Sequence, residues 1–298
     1  MKNKDFLFRG LFKNLNIRFA YTETTKTVSD GILIHSCNPI KATFLGQALT
    51  IASLLNPLLS KGEKYSVKWE YTGAIKNIIA DVTEMNAIRG IMSGDCSNNT
   101  LDEISNLFGE SGYITMMKFK DSQILNSGKS DAGLLDICGD VSFFMSTSDQ
   151  LESEFITEVK FNPNPNNPVN IATGFMIQEM PGADLDKLNS FRQLLHTDDF
   201  KSIILSDNIS IEHKLHKIIT FLDDSTMSYP EISNKYNISF ELSNPPVYKC
   251  SCNQNKMINA VKTLQKDEIL DILKKESSIK ISCQFCKKKY EFNENDLL

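Results

Sequence analysis

The stretch Lys249-Cys250-Ser251-Cys252-Asn253, followed thirty residues on by Ser282-Cys283-Gln284-Phe285-Cys286-Lys287, organises the reading of the whole chain. Two close cysteine pairs arriving from distant positions supply what a tetrahedral zinc ion takes, four sulfurs about 2.3 Å from the metal. The Cys-x-x-Cys pair fits a tight turn that aims both thiols at one ion. In a regular strand the Cys-x-Cys pair would face opposite sides, so the chain is expected to bend there. Cys250, Cys252, Cys283 and Cys286 are therefore the expected ligands of one Zn²⁺. Cys37, Cys96 and Cys138 have no partner close in sequence and read as small core side chains.

Around this constellation the chain changes character. Ser243-Asn244-Pro245-Pro246 reads as a boundary, and residues 249–298 hold ten lysines against seven acids, a net +3. The whole chain carries −5, which leaves −8 for residues 1–248. A unit of about fifty residues is marginal by burial alone. Structural zinc contributes on the order of 10–16 kcal/mol in finger-sized peptides. Four thiolates on Zn²⁺ leave a formal −2, and Lys249, Lys256 and Lys287-Lys288-Lys289 are placed to offset it. Thiolates are also the form that oxidants attack. The site thus reads either as a passive staple or as a switch. Disulfides within each pair close tiny loops, whereas a cross-pair disulfide would constrain the unfolded chain by roughly 3–4 kcal/mol. The spacing leaves all three connectivities open.

The rest of the chain is ordinary globular material, 41% hydrophobic and 23% charged over 298 residues. Seven cysteines are too few for a disulfide scaffold, and no secretory segment is read in Met1 to Asn14. Both point to a cytoplasmic protein. The apolar run Ala48 to Leu59 is too short to span a bilayer and reads as a buried helix. Strands are expected over residues 30–37, 64–71, 75–83, 112–119 and 171–179, rich in β-branched and aromatic residues. Helices are expected over 47–59, 140–152, 184–195 and 211–223. Strands first and helices later predict an α+β fold, and residues 162–168 read as a surface loop. Ser127-Gly128-Lys129-Ser130 resembles the end of a phosphate-binding loop, but the required early glycine is Gln123. His213 and His216 are three apart on an expected helix and read as a solvated face. No nucleophile with a base stands out, so no enzymatic activity is expected.

With its Cys-x-Cys and Cys-x-x-Cys pairs, the chain resembles the redox-regulated 33 kDa heat-shock chaperone family. Further matches are Lys289-Tyr290-Glu291-Phe292, the apolar helix from Asp267 to Lys275, His35-Ser36-Cys37-Asn38-Pro39, Ile88-Arg89-Gly90 and Ser148-Asp149-Gln150. Gly174-Phe175-Met176-Ile177-Gln178 and Pro181-Gly182-Ala183 extend the resemblance over nearly the whole chain. The departures are Tyr71-Thr72-Gly73 for a Gly-Asp-Gly-like turn, Asn253 to Lys256 for an Arg-containing run, and Asp149 for a glutamate. The resemblance implies an N-terminal α+β domain (1–183), a metastable helical linker (184–246) and a C-terminal zinc redox-switch domain (247–298). It implies an ATP-independent holdase, inactive when reduced and zinc-bound. Oxidation would form disulfides Cys250–Cys252 and Cys283–Cys286, release zinc and unfold the linker. The reduced monomer would become a homodimer that holds unfolded client proteins and passes them to ATP-dependent foldase chaperones. Neither nucleic acid nor membrane is implied as a partner. A nucleic-acid-binding zinc ribbon is the alternative, supported by the +3 tail. A zinc enzyme is a third reading, but catalytic zinc keeps an open position and four cysteines fill the site.

Overall fold

β1 (Phe6–Phe12) and β2 (Ile17–Glu23) pair antiparallel, and their side chains alternate between two cores. Phe6, Phe8, Phe12, Phe19 and Tyr21 enter one, Leu7 and Ala20 the other. Next come α1 (Thr25–His35), α2 (Pro39–Leu55), β3 (Glu63–Tyr71), β4 (Ile75–Thr83), β5 (Ala87–Gly94) and a short α3 (Ile104–Phe108). β6 (Gly112–Lys120), β7 (Gln123–Asp131), α4 (Ile137–Thr147), β8 (Ser153–Phe161) and β9 (Val169–Glu179) follow. The chain then turns helical through α5 (Leu185–Leu195), α6 (Asp198–Ile204), α7 (Ile211–Asp223) and α8 (Tyr229–Tyr236), before β10 (Ile238–Leu242) and β11 (Val247–Tyr248). This computed structural model describes residues 5–121, 123–206 and 209–297. It divides into two units, Met1–Tyr248 and Lys249–Leu298.

The first unit contains two sheets. One runs β10-β1-β2-β9-β8, the other β11-β5-β4-β3-β6-β7. All strand pairs are antiparallel except β11 with β5. Helix α2 packs on both sheets and is buried along most of its length. The opposite face of the five-stranded sheet is covered by α5 to α8. Phe12 meets Phe191 at 5.3 Å between ring centroids, and Phe175 meets Phe200 at 5.8 Å. Helix α7 contributes Leu215, Ile218, Ile219 and Leu222, the spacing of one helical face. Each such buried side chain stabilises by about 1.5–3 kcal/mol. Arg192 adds ion pairs to Glu152 at 2.9 Å and Glu154 at 3.0 Å. A sheet covered on both faces explains why β9 is buried almost without interruption.

Strands expected at 64–71, 75–83, 112–119 and 171–179 stand as β3, β4, β6 and β9, and the helices at 184–195 and 211–223 as α5 and α7. Residues 30–37 are a correction: they lie largely in α1, not in a strand. Their β-branched content favours a strand, yet Val28, Gly31 and Ile32 are buried at helical spacing. Gly31 lets α1 approach α2 closely, since a Cβ there would lie 2.8 Å from Leu49 Cδ1. The helix expected from 47 begins earlier, because Asn38 caps Pro39 at the first turn and accepts the Lys41 amide at 2.9 Å. The helix expected over 140–152 is α4, which ends at Thr147. Ser127 to Ser130 lie within strand β7, so they form no phosphate-binding turn. Residues 1–4, 207 and 208, which fall in the leader and linker readings, lie outside the described residues. Among the described residues no helix is long and apolar enough to cross a membrane.

The second unit contains α9 (Gln254–Val261), α10 (Lys266–Glu276), the hairpin β12 (Ile279–Ser282) and β13 (Lys289–Phe292), and α11 (Glu294–Leu297). Its core among the described residues is Val261, Ile269, Ile279, Phe292 and Leu297.

Candidate metal centre

The sequence of the second unit brings two turns together. Cys283 follows β12 directly, and Cys286 sits in the connection to β13. The Cys283 amide donates to the Lys288 carbonyl at 2.9 Å, and the Lys287 amide to the Cys283 carbonyl at 2.8 Å. Lys287 takes φ 59°, the left-handed conformation that closes the turn. Cys250 to Cys252 lie outside helix and strand, so the pair is not held in a regular strand. Asn253 then caps α9, accepting the Lys256 amide at 2.9 Å. The Lys256 ammonium donates to the Ser251 carbonyl at 2.9 Å and so braces the residue between the two cysteines.

The four sulfurs lie within 4.8 Å of one another. Cys250 and Cys283 are separated by 3.7 Å, Cys252 and Cys286 by 3.3 Å. Ligands 2.3 Å from a tetrahedral ion stand about 3.8 Å apart, so the set has the size of a metal site. Four sulfur donors suit a soft or borderline ion rather than magnesium or calcium. The cluster can hold a metal ion. Among the described residues it is the group of three or more such side chains at metal-binding distance. Cys283 is buried and the other three are half-buried.

Electrostatics divide the metal-free thiols. Burial opposes ionisation of Cys252, but hydrogen bonds from Tyr290 and the neighbouring thiols outweigh it and bring its pKa down to about 7. Burial, together with Cys252 and Cys283, pushes Cys286 up to about 12, against a bond from the Lys288 amide. Tyr290 was matched as part of a motif but given no role at the site. Its hydroxyl lies 3.1 Å from Cys252 Sγ. The signal was available: Tyr290 and Phe292 alternate on one face of β13, just past the Cys-x-x-Cys turn.

The other candidates stay apart. Cys96 and Cys138 are buried in the first unit and Cys37 packs at the edge of its core. Cys138 Sγ lies 3.1 Å from Thr157 Oγ1, and burial holds its thiol far above the ordinary range. His213 is exposed, whereas His216 is half-buried and stacks on Tyr229 at 3.6 Å, a departure from the expected solvated face. Burial lowers its pKa. The run Lys287-Lys288-Lys289 is exposed, with the Lys288 ammonium 5.2 Å from the Tyr290 ring centroid.

Comparison with known proteins agrees with this architecture. The chain is 25% identical over 299 residues to a 33 kDa chaperonin of Staphylococcus carnosus, covering 99% of this chain and 96% of that one. It is 24% identical over 298 residues to a 33 kDa chaperonin of Geobacillus, covering 98% and 96%. A crystal structure of the 33 kDa chaperonin of Thermotoga maritima superposes with a TM-score of 0.77 at 20% identity, covering 99% of this chain and 97% of that one. That likeness establishes a shared fold. The family model described as Hsp33 protein matches residues 5–293, nearly the whole chain, and the protein therefore belongs to the Hsp33 chaperone family.

Proposed function

We propose that this protein is a redox-switched holdase, inactive while its four tail cysteines are reduced and hold one zinc ion, and active once they are oxidised. The observation that carries the proposal is the convergence of four sulfurs within 4.8 Å in a tail whose described core is five buried apolar side chains. A unit with so little burial needs a staple. Cys250, Cys252, Cys283 and Cys286 are the proposed ligands. Zinc bound there keeps the sulfurs ionised and ties two distant segments into one fold.

Oxidation acts on the chain's own sulfurs. Each neighbouring pair of thiolates gives two electrons to one hydrogen peroxide molecule, forming one sulfur–sulfur bond and two hydroxide ions. The pairing Cys250–Cys252 and Cys283–Cys286 rests on the family pattern. Disulfide sulfurs are no longer anionic ligands, so the long-range clamp is replaced by two local links. Residues 1–183 act in this proposal as the client-holding domain, 184–246 as the metastable linker and 247–298 as the switch. Linker helices α5 to α8 cover the aromatic face of the five-stranded sheet. Their unfolding uncovers Phe6, Phe8, Phe12, Phe19 and Phe175, apolar surface suited to unfolded clients. The same proposal includes a reduced monomer, an oxidised homodimer, a cytoplasmic location, transfer of clients to ATP-dependent foldases and no enzymatic activity of its own.

Zinc content and free thiols, counted before and after peroxide with mild heat, test the proposal. One zinc and seven thiols should become no zinc and three thiols, and the oxidised protein should suppress aggregation of a heat-unfolded client. A zinc-free, oxidised protein that suppresses no aggregation overturns the reading.

A further inference from the structure

We infer that the Tyr290 hydroxyl sets how readily the Cys250–Cys252 pair is oxidised, by donating a hydrogen bond to the Cys252 sulfur. The inference rests on the zinc and redox reading above and adds a positioning residue to it. The hydroxyl stands 3.1 Å from Cys252 Sγ. An ionised sulfur has no proton to give, so the tyrosine is the donor.

The hairpin holds that hydroxyl in place. Tyr290 pairs with Ile281 across β12 and β13. Its ring is parallel to that of Phe292, with 12° between planes and 6.4 Å between centroids, and Phe292 is buried in the tail's core. The phenol is thus fixed by packing at one end and meets the sulfur at the other. This arrangement separates the hydroxyl's effect from the ring's.

A sulfur whose lone pair is engaged by a donor is less basic and less nucleophilic. Oxidation begins when the Cys252 thiolate attacks peroxide: a sulfur–oxygen bond forms, the oxygen–oxygen bond breaks and hydroxide leaves. The Cys250 thiolate then attacks the resulting sulfenic acid, forming the disulfide and releasing a second hydroxide. Only the first attack is slowed by the hydrogen bond. Freeing that lone pair by removing the hydroxyl should speed the first attack, on the order of threefold.

The test uses the full-length, zinc-loaded chain and Tyr290→Phe, which deletes the oxygen and keeps the ring. Peroxide is added, reaction is stopped with an alkylating agent at intervals, and each cysteine is quantified by peptide mass spectrometry. Thiol loss at Cys250 and Cys252 should be about threefold faster in Y290F, with the initial rate at Cys283 and Cys286 unchanged. Phe292→Leu, which loosens the core but keeps the hydroxyl, should show no such selectivity. Equal rates in wild type and Y290F, or a uniform increase at all four cysteines, overturn the inference. A wild-type chain that binds no zinc, or whose tail thiols resist peroxide, overturns the zinc and redox reading itself, and that outcome is distinct from the other two.

Discussion

The two units are stabilised by different physics. In residues 1–248 a two-sided sheet, a second sheet and a central helix bury dozens of apolar side chains, among them the fully covered Trp69, Phe19, Phe155 and Phe175. In residues 249–298 the described core is five side chains, and the four cysteines converge beside it. Burial spread over many contacts is insensitive to any one of them. On the proposed reading, a fold gathered on four sulfurs fails when those sulfurs change chemistry. The difference teaches that one chain can join a unit held by distributed burial to a unit with a small core and a cluster of four sulfurs.

Metal removal should separate the units most sharply. A chelator applied to the reduced protein should unfold the tail, with a loss on the order of 10 kcal/mol of metal-linked folding free energy. The cooperative melting of the first unit should persist. Site-resolved amide exchange measures both, and Cys283→Ser should reproduce the effect by lowering zinc affinity. Tail amides still protected without metal would show that the five-residue core suffices.

A smaller effect is expected within the helical layer. Asp223 at the end of α7 accepts the Lys235 ammonium at 2.8 Å, together with the Tyr236 and Ser225 hydroxyls. Burial opposes its ionisation, but these donors prevail and hold its pKa at about 2. An unfolded aspartate titrates near 3.9, so the stabilisation is present above about pH 4 and is lost as the pH falls toward 2. Asp223→Asn should cost about 2 kcal/mol at pH 7 by that linkage. It should also raise aggregation suppression by the reduced protein, read with a heat-unfolded client. Unchanged reduced-state activity despite the lost stability would detach this layer from the switch.

The smallest expected effect lies in the platform. Burial raises Asp140 to about 6, against a 2.7 Å bond donated by the Tyr71 hydroxyl. The folded chain then holds this proton more tightly than the unfolded one, and stability falls as the pH rises from about 4 to 6. Asp140→Asn should therefore melt higher than wild type at pH 7, by about 1 kcal/mol, with the gain gone below pH 4. Zinc release by peroxide should be unaffected. A gain that is the same at both pH values would refute the assignment.

The cysteine cluster was legible because metal chemistry imposes spacing on sequence. β3 and β4 were legible because each alternates, and α5 and α7 because apolar residues recur on one face. α1 was not, since Ile32 and Ile34 favour a strand and the helix depends on contact through Gly31 with α2. β10 escaped for a different reason: Ile238 to Leu242 become a strand only by pairing with Phe8 to Phe12, far away in the chain. Tyr290 was visible as a motif letter but not as a partner of Cys252, because strand register places it there.

The pairing of β10 with β1 also has a consequence for synthesis. Translation delivers Phe6, Phe8, Phe12 and Phe19 near the beginning, but α5 to α8 and β10 only after residue 184. Until then the aromatic face and the outer edge of β1 have no cover from their own chain. If the uncovered sheet is the surface that holds clients, each molecule passes through its adhesive form while still on the ribosome and is disarmed by the arrival of α5 to β10.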